Sequence, residues 1–326
     1  MIRDPETLEA LLDSVRRFVR ERLVPAENEV SETDEIPEAI VQEMRNLGLF
    51  GMTIPEKFGG LELTIEEECH VLLELCQTAP AFRSIIGTTV GIGSQGILMD
   101  GTPEQQAEWL PKLATGEVIA SFALTEPEAG SDAASLRTTA IRDGDHYIVN
   151  GTKRYITNAP HAGMFTLMAR TNPQDKGAGG VSSFIVDAKT PGISFGKYDK
   201  KMGQRGAHTC DVIFDNVIVP AGNLIGLQEG RGFKTAMKVL EKGRIHIAAE
   251  ALKAAGTVDY TYTENVANTD YPRVMREYCE AGVKLIVGEI FGAEQEAREV
   301  CAEYPDVAFL LGSSFMPDEA ANPNLA

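Results

Sequence analysis

The sequence predicts a multidomain α+β chain. An all-α N-terminal domain leads into a small antiparallel β-barrel middle domain; the start of a C-terminal helix follows, and then a βαβαβ parallel-sheet fragment. Three observations carry this. Apolar residues recur at helical spacing over residues 6–100. Between Ile119 and Val219 the pattern shortens to β-rich runs separated by turn residues. After about Gly256 strand-like and helical segments alternate, the rhythm of a parallel sheet. The boundaries fall at 1–120, 121–230, 231–255 and 256–326.

In the first domain, Leu8, Leu11, Leu12, Val15, Phe18 and Val19 form one apolar stripe between charges. A second helix starts at Pro37, a residue favoured in the first turn, and carries Ile40, Val41, Met44 and Leu47. Thr64 with Glu67 makes a capping box for a third, running through Val71, Leu72 and Leu75. Thr102-Pro103-Glu104-Gln105 opens a further helix, with Gly116 as its stop. The middle domain reads as strands at Ile119–Leu124, His146–Asn150, Arg154–Thr157, Phe165–Arg170, Ser183–Val186 and Val212–Val219. Asp143-Gly144, Asn150-Gly151 and Pro191-Gly192 read as turns between them. Helical spacing returns from Gly232 through Phe233, Met237, Val239, Leu240, Ile245 and Ile247. In the last part Val258–Tyr262, Val283–Val287 and Val307–Leu311 read as strands, Tyr271–Glu280 and Glu294–Glu303 as helices.

A net charge of −18 repels nucleic-acid backbones and anionic membrane surfaces, so neither is an expected partner. Five widely spaced cysteines fit neither a disulfide framework nor a CxxC zinc site, and no metal is expected. Met1 to Pro5 lacks the features of a signal peptide, and no apolar run reaches the ~18 residues that span a bilayer. A reducing cytoplasm is the expected compartment.

Gly91-Ile92-Gly93-Ser94-Gln95-Gly96 matches the dinucleotide fingerprint GxGxxG but lies among helices with no strand before it, so small residues on a tightly packed helix explain it better. The stretch Thr125-Glu126-Pro127-Glu128-Ala129-Gly130-Ser131-Asp132 follows a strand and is rich in hydroxyls and small residues. Such a loop lets backbone N–H groups and the Thr125 and Ser131 hydroxyls approach a pyrophosphate or a ring oxygen; it also reads as a turn with Ser131 or Asp132 as helix cap.

Thr125-Glu126-Pro127 and Gly130-Ser131-Asp132 resemble the flavin-binding signature of the acyl-CoA dehydrogenase family. Further segments follow in that family's order: Ile54-Pro55-Glu56-Lys57-Phe58-Gly59-Gly60, Leu110-Pro111-Lys112-Leu113, Asn150 to Asn158, Lys201-Met202-Gly203, Val219-Pro220 and Gly243-Arg244. Together they cover residues 5–250. The resemblance implies an FAD enzyme that oxidises an acyl-CoA thioester between Cα and Cβ, with electron-transfer flavoprotein as acceptor and a homo-oligomeric assembly. By resemblance Phe122, Leu124, Thr125, Ser131, Tyr155, Ile156 and Thr157 meet FAD, Tyr155 standing where the family often has tryptophan. Ser131 and the segment Glu241, Lys242, Gly243 and Arg244 meet the CoA substrate, Arg244 as the cation.

The family places its catalytic glutamate either in a C-terminal helical bundle or just before the arginine corresponding to Arg244, where this chain has Gly243. No motif match supports Glu241 or Glu250 as the base. Over residues ~256–326, through Tyr262-Thr263-Glu264-Asn265-Val266, Asp270-Tyr271, Val274 to Tyr278, Leu285 to Gly288 and Tyr304-Pro305-Asp306-Val307, the sequence instead resembles an interior piece of the basic-membrane-protein family of ABC-transporter substrate-binding proteins, in place of the bundle. Three readings follow: an FAD-dependent acyl-CoA dehydrogenase, a catalytically inactive chimeric flavoprotein fragment, and a nucleoside- or solute-binding module carried by the tail.

Overall fold

In the computed structural model, which describes residues 2–254, 263, 266–289 and 293–312, the chain forms two compact units, Met1–Val258 and Asp259–Ala326.

The first unit opens with helix α1 (Pro5–Phe18), whose first turn is closed by the Asp4 carboxylate accepting from the Glu6 and Thr7 amides. A π turn, Val19–Leu23, joins it to α2 (Val24–Thr33). Pro25 lies just beyond the junction; its ring and missing N–H do not suit a continuous α-helix, and a wider turn accommodates the break. Helix α3 (Glu38–Asn46) starts after Pro37 as expected. Helix α4 (Ile65–Leu75) carries the anticipated capping box, with Thr64 N–H donating to Glu67 Oε2 at 2.8 Å. Helix α5 (Pro80–Gly87), a second π turn (Thr88–Gly93) and α6 (Gln95–Asp100) run nearly end to end. The GxGxxG stretch runs from the end of that π turn into α6, with no strand preceding it, so the packed-helix reading stands. Helix α7 (Pro103–Ala114) is capped by the Thr102–Gln105 box. Leu12, Val15, Phe18, Met44, Leu49, Phe50, Leu72, Phe82 and Ile86 share one core, the apolar stripes of these helices turned toward one another.

Between α3 and α4 the turn Ile54 to Gly60 shows why two glycines stand together. Gly59 has φ +85 with open space where a side chain would go, whereas a Cβ on Gly60 would sit 1.9 Å from the Ile54 carbonyl oxygen. Gly59→Ala is therefore expected to lose only the left-handed conformational penalty, about 1 kcal/mol. Gly60→Ala must move backbone and is expected to cost about 3 kcal/mol, the top of the usual range for one substitution. Urea midpoints of the two variants check this; equal losses would reject the close-approach explanation.

Seven strands follow: β1 (Ala120–Ala123), β2 (Thr139–Asp143), β3 (His146–Thr157), β4 (Met164–Arg170), β5 (Val181–Asp187), β6 (Ile193–Phe195) and β7 (Thr209–Pro220). Their order is β1-β4-β2-β3-β7-β6, with β5 on β4. The expected all-antiparallel barrel is corrected here. The sheet is mixed, because β1 pairs with β4 in parallel, Ala120 opposite Met164 and Ala123 opposite Leu167. The chain makes the β2–β3 hairpin before returning to β1, so β4 enters in the same direction as β1. Asn150-Gly151 is not a turn either. The two expected segments are one strand, and Gly151 (φ +153) sits at a register shift where a Cβ would meet Thr138 Oγ1 at 2.4 Å. A bulge needs one residue without a side chain, which at sequence level looks the same as a hairpin tip. Strands β2 and β6 are short and polar and went unexpected. Tyr147, Val149, Phe165, Leu167, Phe184, Val212 and Val217 fill the sheet's inner face. Helix α8 (Gly232–Ala254) closes the unit.

The second unit contains α9 (Tyr271–Glu280), β8 (Leu285–Glu289), α10 (Glu294–Glu303) and β9 (Ala308–Gly312). Strands β8 and β9 pair in parallel across α10, Ile286 opposite Phe309. Met275, Cys279, Ile286, Ala297, Val300, Cys301 and Phe309 form its core, and Arg276 holds Glu303 through two 2.7 Å contacts. The strand expected at Val258–Tyr262 lies outside the described residues.

Candidate active site

The C-terminal end of β1 and the last residues of β3 approach one another with no ladder between them, β1 being paired to β4. Side-chain bonds and a single backbone bond hold the two together instead. Ser121 Oγ donates to the Thr157 carbonyl at 2.7 Å, and the Arg154 amide donates to the Thr125 carbonyl at 2.8 Å. Lys153, with none of its side chain exposed, places its ammonium 3.0 Å from the Leu124 carbonyl and 2.7 Å from Glu126 Oε1. The Glu126 carboxylate also accepts the Arg137 amide at 2.6 Å and the Thr138 amide at 2.9 Å. One buried ion pair thus joins β1, β3 and the loop after Ser131. Burial alone would raise the Glu126 carboxyl, but the Lys153 ammonium and these donors outweigh it and hold the carboxyl below 4.5. Burial pulls Lys153 down to about 8 against the opposing effect of Glu126, so both remain charged at neutral pH.

Between these strands, the loop and α8 lies a pocket of about 510 Å3. Phe122, Leu124, Thr125, Ser131, Tyr155, Ile156 and Thr157, all anticipated from the sequence, line it together. So does Arg244. A register shift in β3 between Lys153 and Ile156 leaves Tyr155 with φ +57 and 57% exposed, its ring beneath the Arg154 guanidinium at 4.8 Å. Ile156, one residue on, is buried in the sheet. The loop is shaped by Arg170, which donates to the Ala134 carbonyl at 2.7 Å and the Leu136 carbonyl at 3.2 Å. Asp132 accepts from the Ser135 hydroxyl.

Apart from Arg244, the rest of the wall was not assigned from sequence. Thr88 and Ile92 come from the second π turn, positioned by Asn158, which donates to Thr88 Oγ1 at 2.8 Å. Phe233, Met237, Leu240 and Arg244 come from one face of α8. Their spacing of four, three and four was visible as a helical stripe, but nothing in it says that the face meets a cavity rather than core. Two carboxylates set the rotation of α8. Asp100 accepts Thr235 Oγ1 at 2.6 Å and Lys238 Nζ at 2.8 Å, and the buried Glu68 holds Lys242 Nζ at 3.2 Å and His246 Nε2 at 2.7 Å. Of the expected substrate segment, Glu241 is exposed, Lys242 turns to α4, and Gly243 faces Ile92, where a Cβ would sit 3.2 Å from Cγ2. Arg244 alone of the four reaches the pocket, because residues two apart on a helix point to different sides. The Glu250 side chain lies outside the described residues. Among the described lining residues Asp132 is the one carboxylate.

The lining suits the ring end of a flavin. Apolar walls from Phe122, Leu124, Ile156 and Met237 match a flat heteroaromatic body, with the Thr125, Thr157 and Ser131 hydroxyls beside them for its polar edge. Comparison with known proteins agrees in both halves of this unit. Residues 5–117 match the acyl-CoA dehydrogenase N-terminal domain and residues 121–217 the acyl-CoA dehydrogenase middle domain. An acyl-CoA dehydrogenase of Bacillus subtilis is 42% identical over 74% of this chain, which spans 63% of that protein's length. A probable acyl-CoA dehydrogenase of Mycobacterium bovis is 36% identical over 95% of this chain and 81% of its own. Among solved structures, a glutaryl-CoA dehydrogenase from Mycobacterium smegmatis in complex with FADH2 is 30% identical, with a TM-score of 0.70 over 85% of this chain and 66% of its own. None of the relatives named here is a substrate-binding protein, and nothing among them supports the tail's resemblance to that class; the Mycobacterium bovis dehydrogenase aligns with 95% of this chain, most of the tail included. With both domains matched, and a dehydrogenase aligned over four-fifths of its length, this chain belongs to the acyl-CoA dehydrogenase family.

Proposed function

We propose that this chain holds FAD and an acyl-CoA thioester in the pocket between β1, β3 and α8, for dehydrogenation between Cα and Cβ. The observation that carries this is the convergence of seven residues from three segments, with Arg244, on one cavity. FAD is the cofactor that family membership brings to it, and when bound it supplies the hydride acceptor. Phe122, Leu124 and Ile156 exclude water from the ring. The hydroxyls of Thr125 and Thr157 are donors for the ring's polar edge, where a fixed donor stabilises charge as it develops. Ser131 serves the pyrophosphate or the thioester. Arg244 is the cation for the CoA portion, a local positive charge set against a net charge of −18. The acceptor is an electron-transfer flavoprotein, and the assembly is a homo-oligomer, as in the family.

A second reading is favoured by one observation. Gly243 stands at one family base position, and Asp132 is the sole carboxylate among the described lining residues. The α-proton then has no glutamate to receive it in this wall, and the chain binds its ligands with little turnover. No helix among the described residues is long and apolar enough to cross a membrane.

A visible absorption spectrum of the purified chain, before and after adding FAD and a medium-chain acyl-CoA, tests both. Flavin that stays bound and bleaches with substrate is the outcome expected of the dehydrogenase. Bound flavin that never bleaches selects the inactive flavoprotein, and a chain that binds no flavin overturns both readings.

A further inference from the structure

Away from the pocket, three chain segments distant in sequence converge on two histidines. His161 ends the short helical turn after β3, His208 stands just before β7, and Asp34-Glu35 follow α2. One ligand atom each from Glu35, His161 and His208 lie within 4.8 Å of one another. His208 is fixed. Its side chain is 3% exposed, and Tyr198 stacks on the ring at 4.5 Å between centroids. Its Nδ1 is 3.2 Å from His161 Nε2. Its Nε2 faces Asp34 Oδ2 at 3.8 Å and Glu35 Oε1 at 3.9 Å.

Those distances are informative. A direct hydrogen bond brings such atoms to about 2.7–3.2 Å, so neither carboxylate bonds the ring. Two ligand atoms on one tetrahedral metal at ~2.1 Å stand about 3.4 Å apart, close to the 3.2 Å between His161 Nε2 and His208 Nδ1; Glu35 Oε1 faces the other nitrogen of the His208 ring and has to swing to join them. His161 and Glu35 are exposed, so rotation about their own side-chain torsions closes the remaining difference, while the buried His208 provides a preset ligand. Two imidazoles with a carboxylate suit borderline divalent ions, whereas Mg²⁺ and Ca²⁺ prefer all-oxygen sets. Asp34, whose Oδ1 accepts the Gly206 amide at 2.6 Å, is placed to orient the His208 ring from behind as metal-bound histidines require. The strongly acidic chain concentrates cations at its surface.

We propose that His161, His208 and Glu35 bind one divalent transition-metal ion of the Zn²⁺ class, which clamps the end of α2 to the loops flanking β3 and β7. The two histidines are 47 residues apart, and no spacing motif marks them. The site borders the strand that carries Tyr155 to Thr157 but shares no residue with the pocket.

The experiment is a titration of the tag-free, full-length chain, stripped with a chelator, first with Co²⁺ and then with Zn²⁺. Expected are one equivalent of Co²⁺ giving visible d–d absorption, its displacement by Zn²⁺, and a melting temperature that rises with Zn²⁺. Glu35→Gln and His161→Ala, both at exposed positions, should each weaken binding about tenfold or more and remove the rise, with far-UV circular dichroism unchanged. Absence of absorption and of any melting shift at millimolar metal overturns the site, leaving a hydrogen-bonded histidine pair. Binding that persists undiminished in both variants also overturns it, since the ion then sits elsewhere, for example on a thiol. The readout needs no flavin, so its failure leaves the dehydrogenase reading intact.

Discussion

Replacing Lys153 with methionine is expected to cost the fold about 3–5 kcal/mol and to release bound FAD, because it leaves Glu126 charged and unpaired in a buried site. The carboxylate is 6% exposed and keeps only two backbone amides once the ammonium is gone. Those amides lead into the loop that lines the pocket, and Lys153 also fixes the Leu124 carbonyl, so the same substitution loosens two walls. Glu126→Gln removes the other partner and is expected to destabilise less, since an amide still accepts a bond. The double variant, with no charge left to bury, is expected to recover much of the loss. Denaturation midpoints of the four proteins give the coupling directly, and additive losses would show that the pair carries no mutual energy. The pair also predicts acid sensitivity. A carboxyl held below its ordinary 4.5 by folding contributes stability that is complete above 4.5 and is lost as pH falls through the lowered folded value. Stability of the native chain should therefore fall as pH drops below the ordinary 4.5 through the lowered folded value, and in Lys153→Met this contribution should vanish or reverse. An unchanged acid profile in that variant would place the sensitivity on other carboxylates.

Gly243→Glu is expected to raise the rate of flavin reduction by an acyl-CoA substrate by about 10²–10⁴-fold, the usual contribution of a positioned general base. This rests on the proposed function and on Gly243 standing at a family base position. Gly243 lies within α8, where glutamate is a better helix former than glycine, so the backbone accepts the change. A Cβ there sits 3.2 Å from Ile92 Cγ2, and Ile92 lines the pocket, so the new side chain starts toward the cavity after a small shift of that residue. Single-turnover bleaching with a medium-chain acyl-CoA, compared between the two proteins at equal FAD occupancy, reads the effect. A native chain that already bleaches rapidly, with no gain in the variant, would mean that another group accepts the proton.

Much of this was open to the sequence alone, for a local reason in each case. Capping boxes at Thr64 and Thr102 and the stripe of α1 are made by residues within a few positions of one another, so their chemistry is complete in a short window. The family resemblance rests on such windows in order, and it named seven residues that do line one cavity. Tertiary structure decided what depends on distant partners. Whether Asn150-Gly151 turns or bulges depends on Thr138 packing against the bare Cα of Gly151. That β1 is parallel to β4 depends on which edge the returning chain meets. Lys242 and Arg244 are near neighbours in sequence, yet Glu68 on α4 turns one away and leaves the other at the pocket. His161 and His208 meet only because β3 and β7 are laddered together, bringing Thr157 opposite Thr209. A side chain's type is written in the sequence; the partner that gives it a role is supplied by packing between segments far apart along the chain.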